Sequence, residues 1–250
     1  MKRIIGIIPA RFGSTRFPGK PLIQIQGKSM IQRVYEQARK SACLQQVCVA
    51  TDHEEIARHV HSFGGNVVLT STEHHSGTDR CYEALIKTGE TFSHLINIQG
   101  DEPFIDPSQI DVLAGLCAGE TEIGTLMIPV HSEEILFDPG EVKIVCTSAM
   151  EALYFSREVI PHLKGLDRKI WHAHHPYFRH VGMYAYRSDI LKKIVDLPPS
   201  QLESAESLEQ LRWLEAGYKI KLAITEHDSH CIDTPEDIEK VMRRMGMGKD

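Results

Sequence analysis

The sequence predicts an α/β protein built on a mainly parallel sheet with helices on both faces. Three observations point there. Short apolar, β-branched runs alternate with amphipathic stretches through the first 120 residues, the order that feeds parallel strands through right-handed helical crossovers. Gly, Pro, Asp and Ser punctuate the joints between those runs. From about residue 120 the rhythm changes, and strand-like runs follow one another without long helices between them. That change predicts antiparallel additions or a β-rich excursion.

Taken in order, RIIGIIP (3–9) reads as a fully buried parallel strand. A Gly/Pro-rich loop follows, then a helix over about 29–42 with Met30, Val34, Ala38 and Ala42 on one face. QVCVATD (46–52) is the second strand, and EEIARHVHSFG is the helix after it, closed by Gly64. NVVLTS is the third strand, and a helix runs from about Gly77 to Gly89. HLINIQGDEP (94–103) is a fourth apolar run, broken at Gly100, and DPSQIDVLAGLCAG is a helix capped by Asp106 or Ser108. IGTLMIPV, EVKIVC, ALYFSR and HVGMYAYR are the later strands, and a polar, His-rich loop spans about 161–177. Two helices and the strand YKIKLAI follow. DTPEDIEKVMRRM then closes the chain as a helix, with Asp233 or Thr234 at its cap and Pro235 at its first position. One domain over 1–250 is expected, with a β-rich lobe over about 125–190.

Bulk properties narrow the function. The formal charge of −6 argues against nucleic acid as a partner, which calls for a strongly basic face. The N-terminal apolar run is interrupted by Gly6 and ends at Pro9, too short for a signal segment. No apolar stretch approaches the ~20 residues that cross a bilayer, so a cytoplasmic protein without a membrane partner is expected. The six cysteines are scattered with no C-x-x-C pair, which predicts reduced and mostly buried thiols, Cys81 among them as core.

In open α/β sheets ligands bind at the carboxyl ends of strands. After the first strand, PARFGSTRFPGKPL (9–22) places Arg11, Arg16 and Lys20, the hydroxyls of Ser14 and Thr15, and two glycines within twelve residues. Glycine admits backbone N–H groups close to a polyphosphate, and the cations offset its charge. It is not a Walker A loop, because five residues separate Gly13 from Gly19 and Pro21 stands where a Ser or Thr would hold magnesium. After the fourth strand, QGDEP puts Asp101 at a tight Gly turn, a common placement for a Mg²⁺ carboxylate. Asp233 is either a helix cap or a second such ligand. HHSGTDR (74–80) offers Arg80 and small polar groups for a base or phosphate, although Ser76 or Thr78 also suits a helix cap. On an alternating strand His180, Gly182, Tyr184 and Tyr186 share a face, lining a pocket or packing a core. In ESLEQLRWLEAG, Leu208, Leu211 and Leu214 make the buried stripe and leave Glu209 and Gln210 on a solvated side. His172 and His175 in WHAHHP have zinc spacing, but Pro176 and polar flanks argue for a loop.

Taken together, PARFGSTRFPGKPL, ATDHEEIA, HHSGTDR, NIQGDEP, ALYFSR, FRHVGMYAYR, LEQLR and DTPEDIEKV, in that order, resemble the 3-deoxy-manno-octulosonate (Kdo) cytidylyltransferase family over essentially the whole chain. The resemblance implies a nucleotide-diphosphosugar-transferase (Rossmann-like) fold whose small β-rich lobe serves dimerisation, and a homodimer. It implies CMP transfer from CTP to Kdo with Mg²⁺ as cofactor, in lipopolysaccharide biosynthesis. Position by position, it assigns Arg11, Ser14, Arg16 and Lys20 to the CTP phosphates. Ser76, Arg80 and Gln99 would contact the cytidine portion, together with the backbone near Pro9 and Ala10. Asp101 and Asp233 would hold Mg²⁺ and, with Arg16 and Lys20, form the catalytic set. Arg157, His180, Tyr184, Glu209 and Gln210 would bind the sugar acid. No motif matches between Pro161 and Phe178.

Overall fold

The first strand is apolar throughout because both of its faces are covered: in β1 (Ile4–Ala10), Ile4, Ile5, Ile7 and Ile8 are all buried. The structure, a computed structural model, describes residues 2–13, 17–228 and 231–244. The predicted phosphate-loop residues Ser14, Thr15 and Arg16 lie outside the described residues. The chain divides into two compact units, Met1–Asp111 with Ser229–Asp250, and Val112–Asp228.

In the first unit, β2 (Gln24–Ile25) and β3 (Lys28–Ser29) form a small hairpin. It delivers Ser29 as the cap of α1 (Met30–Ala38), where its side chain accepts from the Gln32 N–H. This helix buries Met30, Val34 and Ala38, as the spacing predicts. It stops four residues short of the expected end, because Ser41 diverts the chain into a turn: its Oγ accepts from the Cys43 N–H and donates to Asp111 Oδ1 at 2.5 Å. β4 (Gln46–Thr51), α2 (Glu54–Ser62), β5 (Val67–Leu69), α3 (Gly77–Lys87) and β6 (His94–Asn97) follow. Asp106 rather than Ser108 caps α4 (Pro107–Leu116), accepting from the Ser108 N–H at 2.8 Å.

The sheet of this unit is parallel, in the order β6-β1-β4-β5. The chain steps outward from β1 to β4 and β5, then returns through α3 to lay β6 on the other side of β1. Strand direction is kept while strand order reverses at β1, and such a switch point opens a crevice at the carboxyl ends of the two strands beside it. Both the 9–22 loop and QGDEP begin there.

The second unit is more mixed. β7 (Ile123–Pro129), α5 (Glu133–Phe137), β8 (Lys143–Cys146) and β9 (Ala152–Ser156) lead to α6 (Trp171–His174) and the long β10 (Phe178–Arg187). α7 (Ser188–Val195), α8 (Gln201–Glu206), α9 (Gln210–Glu215) and β11 (Ile220–Ile224) complete it. β10 runs antiparallel to β7 and β8, β8 antiparallel to β9, and β11 parallel to β7. The antiparallel additions predicted after residue 120 are therefore present. The His-rich stretch departs from expectation, since it is not an open loop. Trp171 is buried there with Tyr177 and Leu136, and the Tyr177 hydroxyl donates to the Pro161 carbonyl at 2.7 Å. The last helix, α10 (Pro235–Arg244), returns to the first unit.

Cys48, Cys81 and Cys117 are buried free thiols, as predicted. Cys231 is exposed beside Glu102, an exception to that pattern. Among the described residues no helix is long and apolar enough to cross a membrane.

Candidate active site

At the end of β1 the chain closes a loop on itself. The Gly19 N–H donates to the Phe12 carbonyl at 3.1 Å, and Gly19 sits at φ 70°, a left-handed conformation that suits glycine. This turn starts the 3₁₀ turn Lys20–Leu22 and fixes where the Lys20 side chain emerges. Phe12 stacks on His53 with ring centroids 4.0 Å apart, while Arg11 is exposed. At the end of β6, Gly100 packs against the backbone of β1. A Cβ there would meet the Pro9 carbonyl oxygen at 2.8 Å, so only glycine allows the two strand ends to approach this closely.

These two turns bring three charges together. Lys20 Nζ donates to Asp101 Oδ2 at 2.8 Å and to Asp233 Oδ1 at 3.1 Å. Burial works against the ammonium, but the two carboxylates outweigh it and hold the Lys20 pKa above its ordinary value. The carboxylates are set side by side by main-chain bonding, since the Ile232 N–H donates to the Asp101 carbonyl at 2.9 Å. Ile232 is itself anchored in an apolar cluster with Phe17, Ile25, Met30 and Val241. The sequence alone leaves Asp233 open between cap and ligand. In the structure Asp237 takes the amides of Asp233 and Thr234, at 3.1 and 2.9 Å, and the Asp233 carboxylate reaches Lys20.

This arrangement fits a hard divalent cation. An ammonium bridging two carboxylates marks a place where positive charge is stable, and the second oxygen of Asp101 is buried with no hydrogen-bond partner among the described residues. Two carboxylates suit magnesium, which completes its octahedron with phosphate and water. His172 and His175 offer no comparable set. Among the described residues, no three His, Cys, Asp or Glu side chains stand close enough to share an ion.

Beside the end of β1, Pro9, Ala10, Arg11, His74, His75, Ser76, Gly77 and Arg80 line a cavity of about 210 Å³. Five of the residues assigned to the nucleotide therefore share one wall, although they come from segments more than sixty positions apart. Ser76 caps α3: its Oγ accepts from the Asp79 N–H at 3.1 Å, and Asp79 Oδ2 accepts the Ser76 N–H in return. The Arg80 guanidinium is buried, held by Asp52 Oδ2 at 2.7 Å and Thr70 Oγ1 at 2.7 Å. Asp52 belongs to the ATDHEEIA segment but drew no role from the sequence, because only the fold shows that it faces Arg80. Gln99 is half-buried just before Gly100.

In the second unit, β10 supplies a different surface. Its pairing with β7 shifts between Val181 and Tyr184 by two residues. An even shift keeps the faces in step, so His180, Tyr184 and Tyr186 remain neighbours as the alternation predicts, with ring centroids 5.1 and 5.8 Å apart. Trp213 packs edge-on to both tyrosines. His180 is ringed by Phe155 and Tyr184, and burial pushes its pKa down to about 3, so it is neutral. Thr125 Oγ1 lies 2.8 Å from the Met183 carbonyl and 3.0 Å from His180 Nε2. Since a carbonyl only accepts, the threonine proton goes to Met183, Nε2–H donates to the threonine oxygen, and Nδ1 is left as an acceptor. The Tyr184 hydroxyl is buried with no hydrogen-bond partner among the described residues; burial and the Glu209 charge raise its pKa well above the usual value.

The expectation that Gln210 sits on a solvated face is wrong. Gln210 is buried beside Leu211 and Trp213, because α9 begins at Gln210 and the apolar stripe turns with it; Leu214 is only partly buried. Arg157 is held by two backbone carbonyls. Its Nε donates to the Glu206 carbonyl at 2.9 Å and its Nη1 to the Pro139 carbonyl at 3.2 Å.

A family model described as cytidylyltransferase matches residues 5–221. A 3-deoxy-manno-octulosonate cytidylyltransferase from Cytophaga hutchinsonii is 54% identical over 95% of this chain and 96% of that protein. One from Parabacteroides distasonis is also 54% identical, over 97% and 98%. Among solved structures, a CMP:2-keto-3-deoxy-manno-octonic acid synthetase complexed with CTP superposes with a TM-score of 0.90 at 40% identity, covering 98% of this chain and 99% of that one.

Proposed function

Because the chain belongs to the 3-deoxy-manno-octulosonate cytidylyltransferases, we propose that it transfers CMP from CTP to the anomeric 2-hydroxyl of Kdo and releases pyrophosphate. The observation that supports this best is the Lys20–Asp101–Asp233 bridge at the crevice beside β1. The relatives' names supply the acceptor, and the CTP in the neighbouring synthetase structure supplies the donor.

Phosphoryl-type transfer needs positioning and charge neutralisation more than covalent help. Asp101 and Asp233 would hold Mg²⁺, which when bound polarises the α-phosphate and acidifies the attacking hydroxyl. Lys20, released from the carboxylates, moves its charge to the departing pyrophosphate together with Arg16. Arg11 and Ser14 belong to the same phosphate grip. Ser76, Arg80 and Gln99, with the backbone at Pro9 and Ala10, hold the cytidine portion, Arg80 being held in place by Asp52. Arg157 pairs with the sugar carboxylate through its guanidinium. Neutral His180 accepts from a sugar hydroxyl at Nδ1, and Tyr184 donates its hydroxyl, with Glu209 and Gln210 completing the acceptor contacts. A cytoplasmic homodimer with a β-rich dimerisation lobe, serving lipopolysaccharide assembly, is part of the same proposal and follows from the family resemblance.

The test is pyrophosphate release, with CTP against the other nucleoside triphosphates, Kdo against sialic acid, and Mg²⁺ against chelator. Release with CTP, Kdo and Mg²⁺ alone is expected. Faster release with sialic acid would reassign the acceptor, and silence with every pair would remove the enzymatic reading.

A further inference from the structure

We propose that Glu206 is the positioning residue of the acceptor subsite, locking Arg157 to the segment that carries Glu209 and Gln210. The inference rests on the acceptor roles proposed above for those three residues. It starts from the observation that, among the described residues, no hydrogen bond links Arg157 to His180 or Tyr184, yet one residue, Glu206, holds Arg157 by two bonds and its neighbour Ser156 by a third. Glu206 Oε1 accepts from Ser156 Oγ at 2.7 Å, Oε2 accepts from the Arg157 N–H at 2.9 Å, and the Glu206 carbonyl accepts from Arg157 Nε at 2.9 Å. The direction of the first bond is settled, because an ionised carboxylate only accepts; Ser156 Oγ gives it its proton and itself accepts from the Glu158 N–H at 3.0 Å.

The grip is made by a rigid piece. Ser200 and Glu203 form a capping box at the start of α8, and Arg212 on α9 clamps Glu203 with Nε at 2.7 Å and Nη2 at 2.5 Å. Glu206 ends α8, and Ser207 turns the chain through φ 55°, ψ 47°. The Leu208 N–H then returns to the Glu203 carbonyl, and Leu208 is buried. Glu209 and Gln210 come next, so their distance from Glu206 is set by this turn. On the other side Ser156 is buried at the end of β9. The carboxylate of Glu206 thus joins two segments 49 positions apart, one bearing the guanidinium and the other the acid and amide. With Nε on the Glu206 carbonyl and Nη1 on the Pro139 carbonyl, the guanidinium plane is fixed, and the Nη2 edge is left to a planar carboxylate.

A purely structural Glu206 would support the fold without favouring either substrate. A positioning Glu206 acts on the sugar acid alone. The experiment measures KM for Kdo and for CTP, with the thermal midpoint, in the full-length chain carrying Glu206→Ala, Glu206→Gln, Arg157→Ala, and Glu206→Ala with Arg157→Ala. Glu206→Ala should raise the Kdo KM about tenfold and leave the CTP KM within about twofold, since it removes two bonds to the segment that aims Arg157. Glu206→Gln keeps one accepting oxygen and should fall between Glu206→Ala and the unaltered chain. Once Arg157 is gone, removing Glu206 should add less than about twofold, because coupled residues are not additive. If Glu206→Ala does not fold, Ser156→Ala, which deletes only the partner of Oε1, should show the same KM split at smaller size. Equal changes in both KM values, a lowered midpoint with the Kdo KM untouched, or effects of Glu206→Ala and Arg157→Ala that multiply would each overturn the proposal. A wild-type chain silent with CTP and Kdo overturns the acceptor reading beneath it. That failure is told apart because it shows before any substitution is made.

Discussion

The two units meet chemical demands in opposite ways. In the first, the candidate centre is built of fixed charge, with Lys20, Asp101 and Asp233 in one ion-paired group whose side chains are 15%, 24% and 45% exposed. In the second, the candidate acceptor face is neutral. His180 is held uncharged with a pKa of about 3, Tyr184 is held protonated, and aromatic rings surround both. The difference matches what each would bind. A polyphosphate with a metal is a dense charge, and opposing charge at strand ends both attracts and positions it. A polyhydroxylated sugar needs direction more than charge, and directed donors and acceptors in a dry wall discriminate because an unpaired partner is costly.

The largest effect should come from breaking the charged side. Asp101→Asn keeps the shape and the link from Ile232 to the Asp101 backbone but removes a carboxylate charge. Turnover of CTP and Kdo should fall about 100-fold or more, the scale expected when an electrostatic contact to a developing charge is lost. Lys20 retains Asp233, so the fold should hold. Near-normal turnover in a folded Asp101→Asn protein would take Asp101 out of the centre and dissolve the contrast.

The second effect tests the neutral side through stability. His180 in the folded chain titrates near 3, against roughly 6.5 when unfolded. Between those values the unfolded chain binds a proton that the folded chain does not. The contribution of His180 is therefore unchanged above about pH 6.5 and turns increasingly unfavourable as pH falls toward 3, at about 1.4 kcal/mol per pH unit. At pH 5 this amounts to about 2 kcal/mol. His180→Gln should flatten the acid limb of the stability curve by that amount relative to pH 7, whatever it costs at pH 7. Parallel curves for the two proteins would mean that His180 is not buried as a neutral group.

How much of this was legible in the sequence differs between the halves for a physical reason. Charged groups at strand ends advertise themselves, because Gly, Asp and Lys beside an apolar run have few other uses. The 9–22 loop after the first strand and Asp101 after the fourth are readable in that way, whereas the pairing of those two strands is shown only by the fold. Arg80 was readable as a cation, but its partner Asp52 was not, since nothing local links positions 28 residues apart. On the neutral side, alternation placed His180, Tyr184 and Tyr186 on one face, and this survived only because the bulge in β10 shifts by two residues rather than one. The burial of Gln210 is hidden from the sequence because the Leu208–Leu211–Leu214 stripe reads as one straight helix, whereas α9 begins only at Gln210 after the left-handed turn at Ser207. Glu206 and Thr125 carry no sequence signal, because what they do is defined by partners 49 to 58 positions away.

The smallest effect is also the one that separates function from packing most cleanly. Tyr184 is buried against Trp213 and His180, yet its hydroxyl has no hydrogen-bond partner among the described residues. A buried donor without a partner costs stability, so a hydroxyl kept there for packing alone would be a poor choice. Tyr184→Phe keeps the ring and deletes only that donor. The thermal midpoint should stay level or rise, because the desolvated hydroxyl is gone. The KM for Kdo should nevertheless rise about fivefold, the worth of one neutral hydrogen bond near 1 kcal/mol, with the CTP KM unchanged. Stability and affinity would then move in opposite directions, which a packing role does not produce. A lowered midpoint with the Kdo KM unaltered would instead make Tyr184 part of the core, and the acceptor face would lose its donor.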